Sequence, residues 1–344
     1  MRLIRRTGRI VVSIVLALAV LLLALWGSLA IAFRAPFAPP TPMLIGAAWA
    51  VVCCVVAVTL LAGRRKVPLV VVALASAVLF GWWSTVTARG DRDWADDVAR
   101  VAIARIEGST LTVENVRNFI WRSDTDYTIR WETRRYDLSR LRGADLFLSY
   151  WAGENIAHAI VSFDFEGSEP LAFSIEIRKE RGEDYSSIAG FFRSYEVAFI
   201  AADERDVVKV RSTVRGEDVR LYRLDMRQET ALKLLKTYVG VADDVAQRPR
   251  WYNTVTTNCT TTIFRMARAL DPGIPLDYRV LLSGLVPGYL YDHDFLVKDR
   301  PLEDLVRASR IGPRSPGPLE DPDFSARIRT GVPGPAWTKP PQSS

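Results

Sequence analysis

Three apolar runs close to the N-terminus limit what this chain can fold into more than any other feature. They cover residues 10–33, 43–62 and 68–86, and none contains a charged side chain. Each approaches the roughly 20 residues that an α-helix needs to cross a bilayer. The first run follows four arginines, as a signal peptide would, but it is too long for one and two further runs follow it. Residues 1–86 are therefore predicted to form three transmembrane helices.

The distribution of basic residues predicts how these helices are oriented. Four arginines precede the first run, and Arg64, Arg65 and Lys66 fill the loop between the second and the third. The loop between the first and the second run has a single basic residue, Arg34. Because basic loops stay in the cytoplasm, the N-terminus is predicted to be cytoplasmic. Three crossings then place everything after residue 86 outside the cytoplasm.

Charge and composition argue against several classes of site. The net charge is +6, but Arg and Lys alternate with Asp and Glu through the soluble part, so nucleic acid is a poor candidate partner. The chain has two histidines and three cysteines, with no CxxC pair and no spacing typical of zinc. We therefore expect no metal site, no cofactor and no framework of disulfides.

The pattern of apolar, polar and charged residues divides the chain after residue 86 into three parts. Residues 87–110 carry an amphipathic pattern that predicts a linker helix leaving the membrane. Residues 111–300 contain short alternating segments followed by helical ones, which indicates an α+β domain. Residues 301–344 are rich in Pro, Gly and charge and are predicted to be an irregular tail. Within the domain, residues 207–211 are among the segments predicted to be strands.

Cys259 is the strongest candidate for chemistry, because it lies where a helix is predicted to begin. Asn258 is a good N-cap, and Ile263 and Met266 follow at helical spacing on the same face as the thiol. A thiol at a helix N-terminus meets unpaired N–H groups and the positive end of the dipole, which both favour the nucleophilic thiolate. The plainer interpretation is a small buried hydrophobic residue, as most single cysteines are.

A histidine and a carboxylate are predicted to lie side by side on a β-hairpin. Residues 155–165 and 171–178 both alternate, and the turn-forming segment 166–170 joins them. This pairing places His158 opposite residue 177 or its neighbours, so that Glu176 lies within reach of the imidazole. Glu176 would orient the ring and leave its other nitrogen to accept the thiol proton. An ion pair of Glu176 with Arg178 or with another arginine, on a solvated strand face, is the plainer alternative.

The other histidine, His293, is the rival base. It follows Cys259 in the chain, whereas His158 precedes it. His158 is favoured because of its hairpin partner. A Cys, His and acidic residue on a helix N-terminus and two adjacent strands is the arrangement of papain-like thiol sites, here in permuted order. The residues predicted to contact substrate are Asn258, Trp151, Trp251 and Tyr252, although the aromatic ones would equally fill a core.

Several segments of this region resemble the periplasmic domain of Lnb-type bacterial lipoprotein N-acyltransferases. The resemblance runs from about residue 115 to 296, and its most specific parts are AHAIVSF at 157–163 and NCTT at 258–261. TNCTTTIF is also similar to the Asn-Cys motif of permuted papain-like acyltransferases related to lecithin:retinol acyltransferase. The resemblance implies Cys-dependent acyl transfer, with Cys259 as nucleophile and His158 as base. In one departure, those enzymes carry membrane helices after this domain, whereas this chain carries three before it.

Together these features predict a three-helix transmembrane region followed by an α+β, circularly permuted papain-like (NlpC/P60-like) domain. We expect a multi-pass protein of the bacterial inner membrane with its domain in the periplasm. The leading expectation is a thiol acyltransferase that acts on a membrane phospholipid and a lipoprotein N-terminus through a thioester. A cysteine hydrolase on the same scaffold (a peptidase, amidase or lipid esterase) is one alternative. A non-catalytic extracytoplasmic binding domain, with the cysteine as core, is the other.

Overall fold

A computed structural model describes residues 2–335 of the chain. The chain divides into two compact units. The first contains the N-terminal segment up to Arg89 together with the loop Tyr185–Ser194, and the second contains Gly90–Asp184 and the residues from Tyr195 onward. The loop of the first unit is therefore inserted, in sequence, into the second.

The first unit consists of three long apolar helices. They are α1 (Arg2–Arg34), α2 (Thr41–Leu61) and α3 (Lys66–Thr85), and each is long and apolar enough to cross a membrane. Within this unit the loop 185–194 contacts the helical region. Phe192 stacks on Phe33 with ring centroids 5.6 Å apart, and Arg193 donates to the backbone oxygens of Trp83 and Val86. The prediction of three apolar helices is confirmed.

The predicted linker helix over residues 87–110 is wrong. This segment contains one 3₁₀ turn, Asp96–Val98, and then the first strand, β1 (Ile103–Glu107). Outside this turn the backbone pairs with the sheet, since Ala95 donates to Lys179 and Ala102 donates to Phe199. The apolar residues that suggested a helix face are buried along an extended chain.

The second unit is a mixed α/β domain built on one large sheet. Its strand order is β1-β2-β9-β8-β7-β6-β10, and β5 also pairs with β2. The contact of β2 with β9 is parallel and the other pairs are antiparallel. The remaining strands are β2 (Thr110–Arg117), β3 (Ile120–Trp121), β4 (Tyr127–Thr128), β5 (Trp131–Asp137), β6 (Leu141–Tyr150), β7 (Ala157–Phe165), β8 (Leu171–Arg178), β9 (Glu196–Ala202) and β10 (Asp218–Arg223).

Two long helices form the larger core with one face of this sheet. They are α5 (Gln228–Gln247) and α6 (Cys259–Leu270). Phe163 and Phe173 of the sheet pack on Tyr238 of α5, with ring centroids 5.6 and 5.4 Å from the tyrosine ring. Because strand residues alternate between faces, this first face holds the odd-numbered residues of β7 and β8.

The second face, with the even-numbered residues of β7 and β8, is covered by shorter elements. These are α4 (Glu204–Val207), a π-helix (Val210–Val214) and α9 (Phe324–Arg329). The predicted strand at 207–211 is therefore wrong. Its alternating apolar residues are buried in helical turns, and Asp206 anchors the segment by accepting from Arg117 and from the Trp121 ring.

The segment after residue 300 is also more ordered than predicted. It contains α8 (Leu302–Ser309) as well as α9, and the loop before it holds α7 (Val286–Asp292). Ile311, Phe324 and Ile328 are completely buried in the core of the second face. The prediction of an irregular tail is therefore wrong for residues 301–335. Residues 336–344 lie outside the described residues.

Candidate active site

The thiol of Cys259 is held at the first residue of α6 by a complete capping box. The Asn258 side chain accepts from the backbone N–H of Thr261 at 2.8 Å, and the Thr261 hydroxyl accepts from the backbone N–H of Asn258 at 3.1 Å. This exchange satisfies two of the groups left open at a helix start. The capping residue predicted from the sequence is confirmed, and the N-terminal position exposes the sulfur to the positive end of the helix.

The thiol reaches the second face of the sheet through a gap between two strands. The β7–β8 ladder runs from Phe163↔Leu171 to Ile160↔Ser174 and ends there. Beyond this point the backbone N–H of Ala159 acts on the thiol of Cys259 and helps to lower its pKa. The sulfur therefore lies near the point where the strands separate.

His158 lies at this gap and is clamped on one side. Its Nε2 is 2.7 Å from the Ser174 hydroxyl and 3.2 Å from Glu176 Oε1. Ser174 donates its own proton to Glu176 at 2.6 Å, so it must accept from His158. The proton of the ring is thus on Nε2, which leaves Nδ1 to face Cys259, the residue that acts on the pKa of His158 from the other side.

The hairpin register explains why Glu176 is the carboxylate at this position. Ile160 pairs with Ser174, so continuing the same register places Glu176 opposite His158. The sequence predicted residue 177 at this point, one position further, with Glu176 as the side chain within reach. The contact between His158 and Glu176 is present. Of the alternative ion pairs, the one with Arg178 is not formed, because Arg178 donates to backbone oxygens of Val98 and Ala99, but Glu176 does pair with another arginine, Arg211.

The charges of the cluster shift its proton equilibria toward an ion pair. Burial raises the pKa of the Cys259 thiol, but the charge and hydrogen bond of His158 outweigh this and lower the pKa to about 7. Burial lowers the pKa of His158, whereas the Glu176 carboxylate raises it, and the result is a pKa of about 9. Burial raises the pKa of Glu176, yet His158 and Arg211 hold it well below its usual range. Between these values thiolate and imidazolium coexist.

A second cation that the sequence did not predict completes the cluster. Arg211, on the π-helix, donates to Glu176 Oε1 at 2.9 Å and lies 3.7 Å from Glu217. Glu217 in turn accepts from Ser149, which is directly opposite His158 in the β6–β7 ladder. π-Helical turns occur often at functional sites. Because residues 207–211 carry a strand-like pattern, the sequence did not predict this π-helical turn.

Tyr238 is the second residue near the thiol that sequence reasoning missed. Its ring is completely buried, and its hydroxyl has no hydrogen-bond partner among the described residues. Burial raises the pKa of Tyr238 well above its usual value, and the charge of Cys259 adds to this. An unsatisfied buried hydroxyl close to a reactive group is an uncommon arrangement. Its sequence signal was only the apolar helix pattern around it.

The structure brings only some of the predicted substrate-contacting residues toward the thiol. Tyr252 packs against the same core as Cys259, and Asn258 is engaged as the helix cap. Trp251 lies beside Glu196, with the Arg92 guanidinium 5.0 Å from its ring. Trp151 is in the exposed turn between β6 and β7. A role of these four residues in substrate contact stays a prediction.

The rival base His293 has a different environment. It caps α7, and its ring packs on Tyr289 with centroids 4.5 Å apart. His158 is among the groups that act most strongly on the pKa of Cys259, and His293 is not. Within residues 2–335 no group of three or more His, Cys, Asp or Glu side chains is arranged to hold a metal ion.

A comparison with protein families identifies this region. Residues 127–284 match a family model described as the Lnb N-terminal periplasmic domain. The match covers the strands from β4 to β10 and both long helices, so it includes His158, Glu176, Arg211 and Cys259. Comparisons with curated proteins and with solved structures gave no match. The chain therefore carries an Lnb-type periplasmic domain, preceded by three membrane-capable helices.

Proposed function

We propose that this protein is a membrane-anchored thiol acyltransferase on a permuted papain-like scaffold. Cys259 would be the nucleophile, His158 the acid and base, and Glu176 the residue that orients the imidazole. The observation that carries the proposal is the clamp of His158 by Ser174 and Glu176 beside Cys259, whose thiol pKa the imidazole lowers to about 7. The match to an Lnb-type domain over the same residues gives independent support.

In the first half-reaction the Cys259 thiolate attacks the carbonyl carbon of a phospholipid ester. The backbone N–H of Cys259, at the first residue of α6, would donate to the charge that develops on the carbonyl oxygen. The C–O bond then breaks, and the His158 imidazolium gives its proton to the departing alkoxide. The products are a thioester on Cys259 and a lysophospholipid.

In the second half-reaction an amine attacks the thioester, and a lipoprotein N-terminus is the proposed acceptor. His158 takes the proton of the attacking amine as the C–N bond forms and the C–S bond breaks. The thiolate and imidazolium are thereby restored. Dividing the transfer in two replaces one difficult step by two easier ones. Confinement of both lipid substrates and the enzyme to one membrane raises their encounter rate.

The proposed location is the bacterial inner membrane, with the N-terminus in the cytoplasm and the domain in the periplasm. The Arg and Lys residues of the second loop support this orientation. A reporter that is active only in the periplasm, fused after Ser344, should be active. Activity of a cytoplasmic reporter at the same position would contradict both the topology and an outer-leaflet substrate.

The decisive experiment follows a labelled acyl chain. The full chain is reconstituted in vesicles with a phospholipid labelled in its acyl groups and a lipopeptide with a free N-terminal amine. Mass spectrometry should find the label first on Cys259 and then on the amine. Cys259→Ala and His158→Ala should each reduce transfer by about 10⁴-fold, and the double variant should be little worse, because the two residues act as a unit.

His293→Ala is the matched control, since it removes the other histidine and should leave transfer intact. Full transfer by Cys259→Ala protein would overturn the proposal. Acyl-Cys259 that decays only to free fatty acid, with any amine supplied, would indicate a hydrolase instead. A thiol that stays unreactive toward alkylating reagents at neutral pH would favour a non-catalytic binding domain.

A further inference from the structure

A large groove runs along α6 on the side away from the thiol. Its volume is about 720 Å³, within the range of small-molecule sites. Thr261, Phe264, Arg265 and Arg268 line it from the helix. At about 100° per residue these side chains point away from Cys259, whereas Ile263 and Met266 share its face. The groove is therefore separate from the thiol site.

The opposite wall of the groove is apolar and unusually exposed. Leu276 and Tyr278 expose 75% and 67% of their surface, and Leu281 is exposed as well. These three residues belong to the loop between α6 and α7 and lie close together in sequence. Side chains of this kind normally cluster at the surface only where something covers them.

Two arginines in the groove have no acidic partner among the described residues. Arg265 is exposed, and the Nε of Arg268 is buried without a hydrogen bond. The one carboxylate of the lining, Asp277, is held by Arg279 at 2.8 Å. A buried guanidinium nitrogen without an acceptor is costly, so these cations favour a ligand that brings negative charge.

We propose that this groove binds an anionic phospholipid. An acyl chain would lie between Phe264 and Leu276, and the phosphate would contact Arg265 and Arg268. Apolar walls with unpaired guanidinium groups complement an amphiphile with an anionic head. The same chain has three membrane-capable helices, so phospholipid is present wherever the protein is. Because the groove is on the other side of α6, this binding requires no thiol chemistry.

The test is photo-crosslinking in the full chain. Tyr278→p-benzoylphenylalanine places a photoreactive ring at the exposed wall, and Ile129→p-benzoylphenylalanine, at a position 51% exposed, is the matched control. Both are reconstituted with Cys259→Ala, so that no acyl transfer contributes. The vesicles contain phosphatidylethanolamine with or without phosphatidylglycerol, and adducts are identified by mass spectrometry.

The expected adduct at position 278 is phosphatidylglycerol, in clear excess over position 129. Arg265→Gln and Arg268→Gln should each lower its yield about fivefold, the factor that corresponds to about 1 kcal/mol per basic residue at an anionic lipid. Equal yields at both positions, a cross-linked pair of chains, or no dependence on the arginines would each overturn the proposal. Alkylation of Cys259 in the Arg265 and Arg268 variants, made without the Cys259 change, reports that the domain remains folded.

Discussion

The two faces of the central sheet are buried by different means. On the first, rings of Phe163, Phe173 and Tyr238 pack at centroid distances of 5.4 to 6.0 Å. On the second, Arg329 joins the buried carboxylates of Asp145 and Glu204. The stability of the first face depends on close packing and buried apolar area, whereas the stability of the second depends on the pairing of each buried charge.

This difference shows why the site lies where the two faces meet. A thiolate and an imidazolium require compensating charges, which the second face provides through Glu176 and Arg211. The first face provides the N-terminus of a long helix, α6. The gap between β7 and β8 lets Cys259 reach from one environment into the other. The predictions below change one face at a time.

The largest effect is expected from the charged face. Arg329→Met removes a cationic partner from two carboxylates that are completely buried, and although Arg223 still holds Asp145, Glu204 keeps no arginine partner among the described residues. Breaking a buried pair in this way costs about 3–5 kcal/mol of the free energy of unfolding. Denaturation of the purified full chain should show this loss, whereas Arg307→Met, at an exposed position, should change stability very little. A loss equal to that of the control would contradict the charge-paired description of this face.

A smaller loss is expected from shortening a ring on the apolar face. Phe163→Leu removes part of a completely buried side chain and should cost about 1–2 kcal/mol. The pH midpoint of Cys259 alkylation should stay near 7, because none of the groups that set it changes. The same denaturation and alkylation measurements check both statements. A shifted midpoint would mean that the two faces are not independent.

Arg211→Gln should move a proton equilibrium and leave the fold intact. Glu176, Arg211 and Cys259 are the charged groups that face His158, with Glu217 behind Arg211. Since the Arg211 charge lowers the pKa of His158, removing it should raise that pKa above its value of about 9. A shift of one unit corresponds to about 1.4 kcal/mol.

NMR titration of the imidazole signals measures this shift, and with two histidines in the chain His293 is an internal reference. Arg211→Lys keeps the charge and should keep the pKa near that of the unchanged protein. In the transfer assay the rate should rise through about pH 7, as Cys259 ionises, and fall through about pH 9, as His158 loses its proton. Arg211→Gln should shift only the high-pH limb of this pH–rate profile. A uniform loss of rate at all pH values would indicate that Arg211 has a purely structural role.

Removing a hydroxyl group should have opposite effects on the two faces. Tyr238→Phe deletes a buried hydroxyl that has no partner among the described residues, so stability should rise by about 1 kcal/mol. Ser174→Ala deletes a hydroxyl that bonds both His158 and Glu176, so stability should fall by a similar amount. Thermal denaturation of the two variants measures both effects. A loss of stability in Tyr238→Phe would mean that the Tyr238 hydroxyl forms a hydrogen bond in solution.

Local patterns in the sequence were sufficient for the thiol, its helix and the hairpin. Asn258 is a capping residue, and alternation with a short turn determines the pairing of β7 with β8 to within one residue. Both features depend on neighbours in sequence. That is why the sequence alone groups Cys259, His158 and Glu176.

The features that the sequence did not predict depend on contacts with residues far away in the chain. Arg211 lies in a segment with strand-like alternation, and it becomes helical because Asp206 is held by Arg117 and Trp121. Phe324 and Arg329 lie in a Pro-rich segment, and they are ordered by Asp145 and Glu204 far earlier in the chain. No local pattern reports such contacts.

The clamp on His158 also bears on inhibition by metal ions. Imidazole binds a metal through a nitrogen lone pair, but the Nε2 of His158 carries a proton shared by Ser174 and Glu176. Its Nδ1 faces Cys259. The thiolate is the form of cysteine that binds a thiophilic cation such as Zn²⁺, and the lowered pKa of Cys259 makes this form available near neutral pH. To bind Nδ1 as well, the cation must displace the proton between the ring and the sulfur, so capture by zinc should weaken as the pH falls.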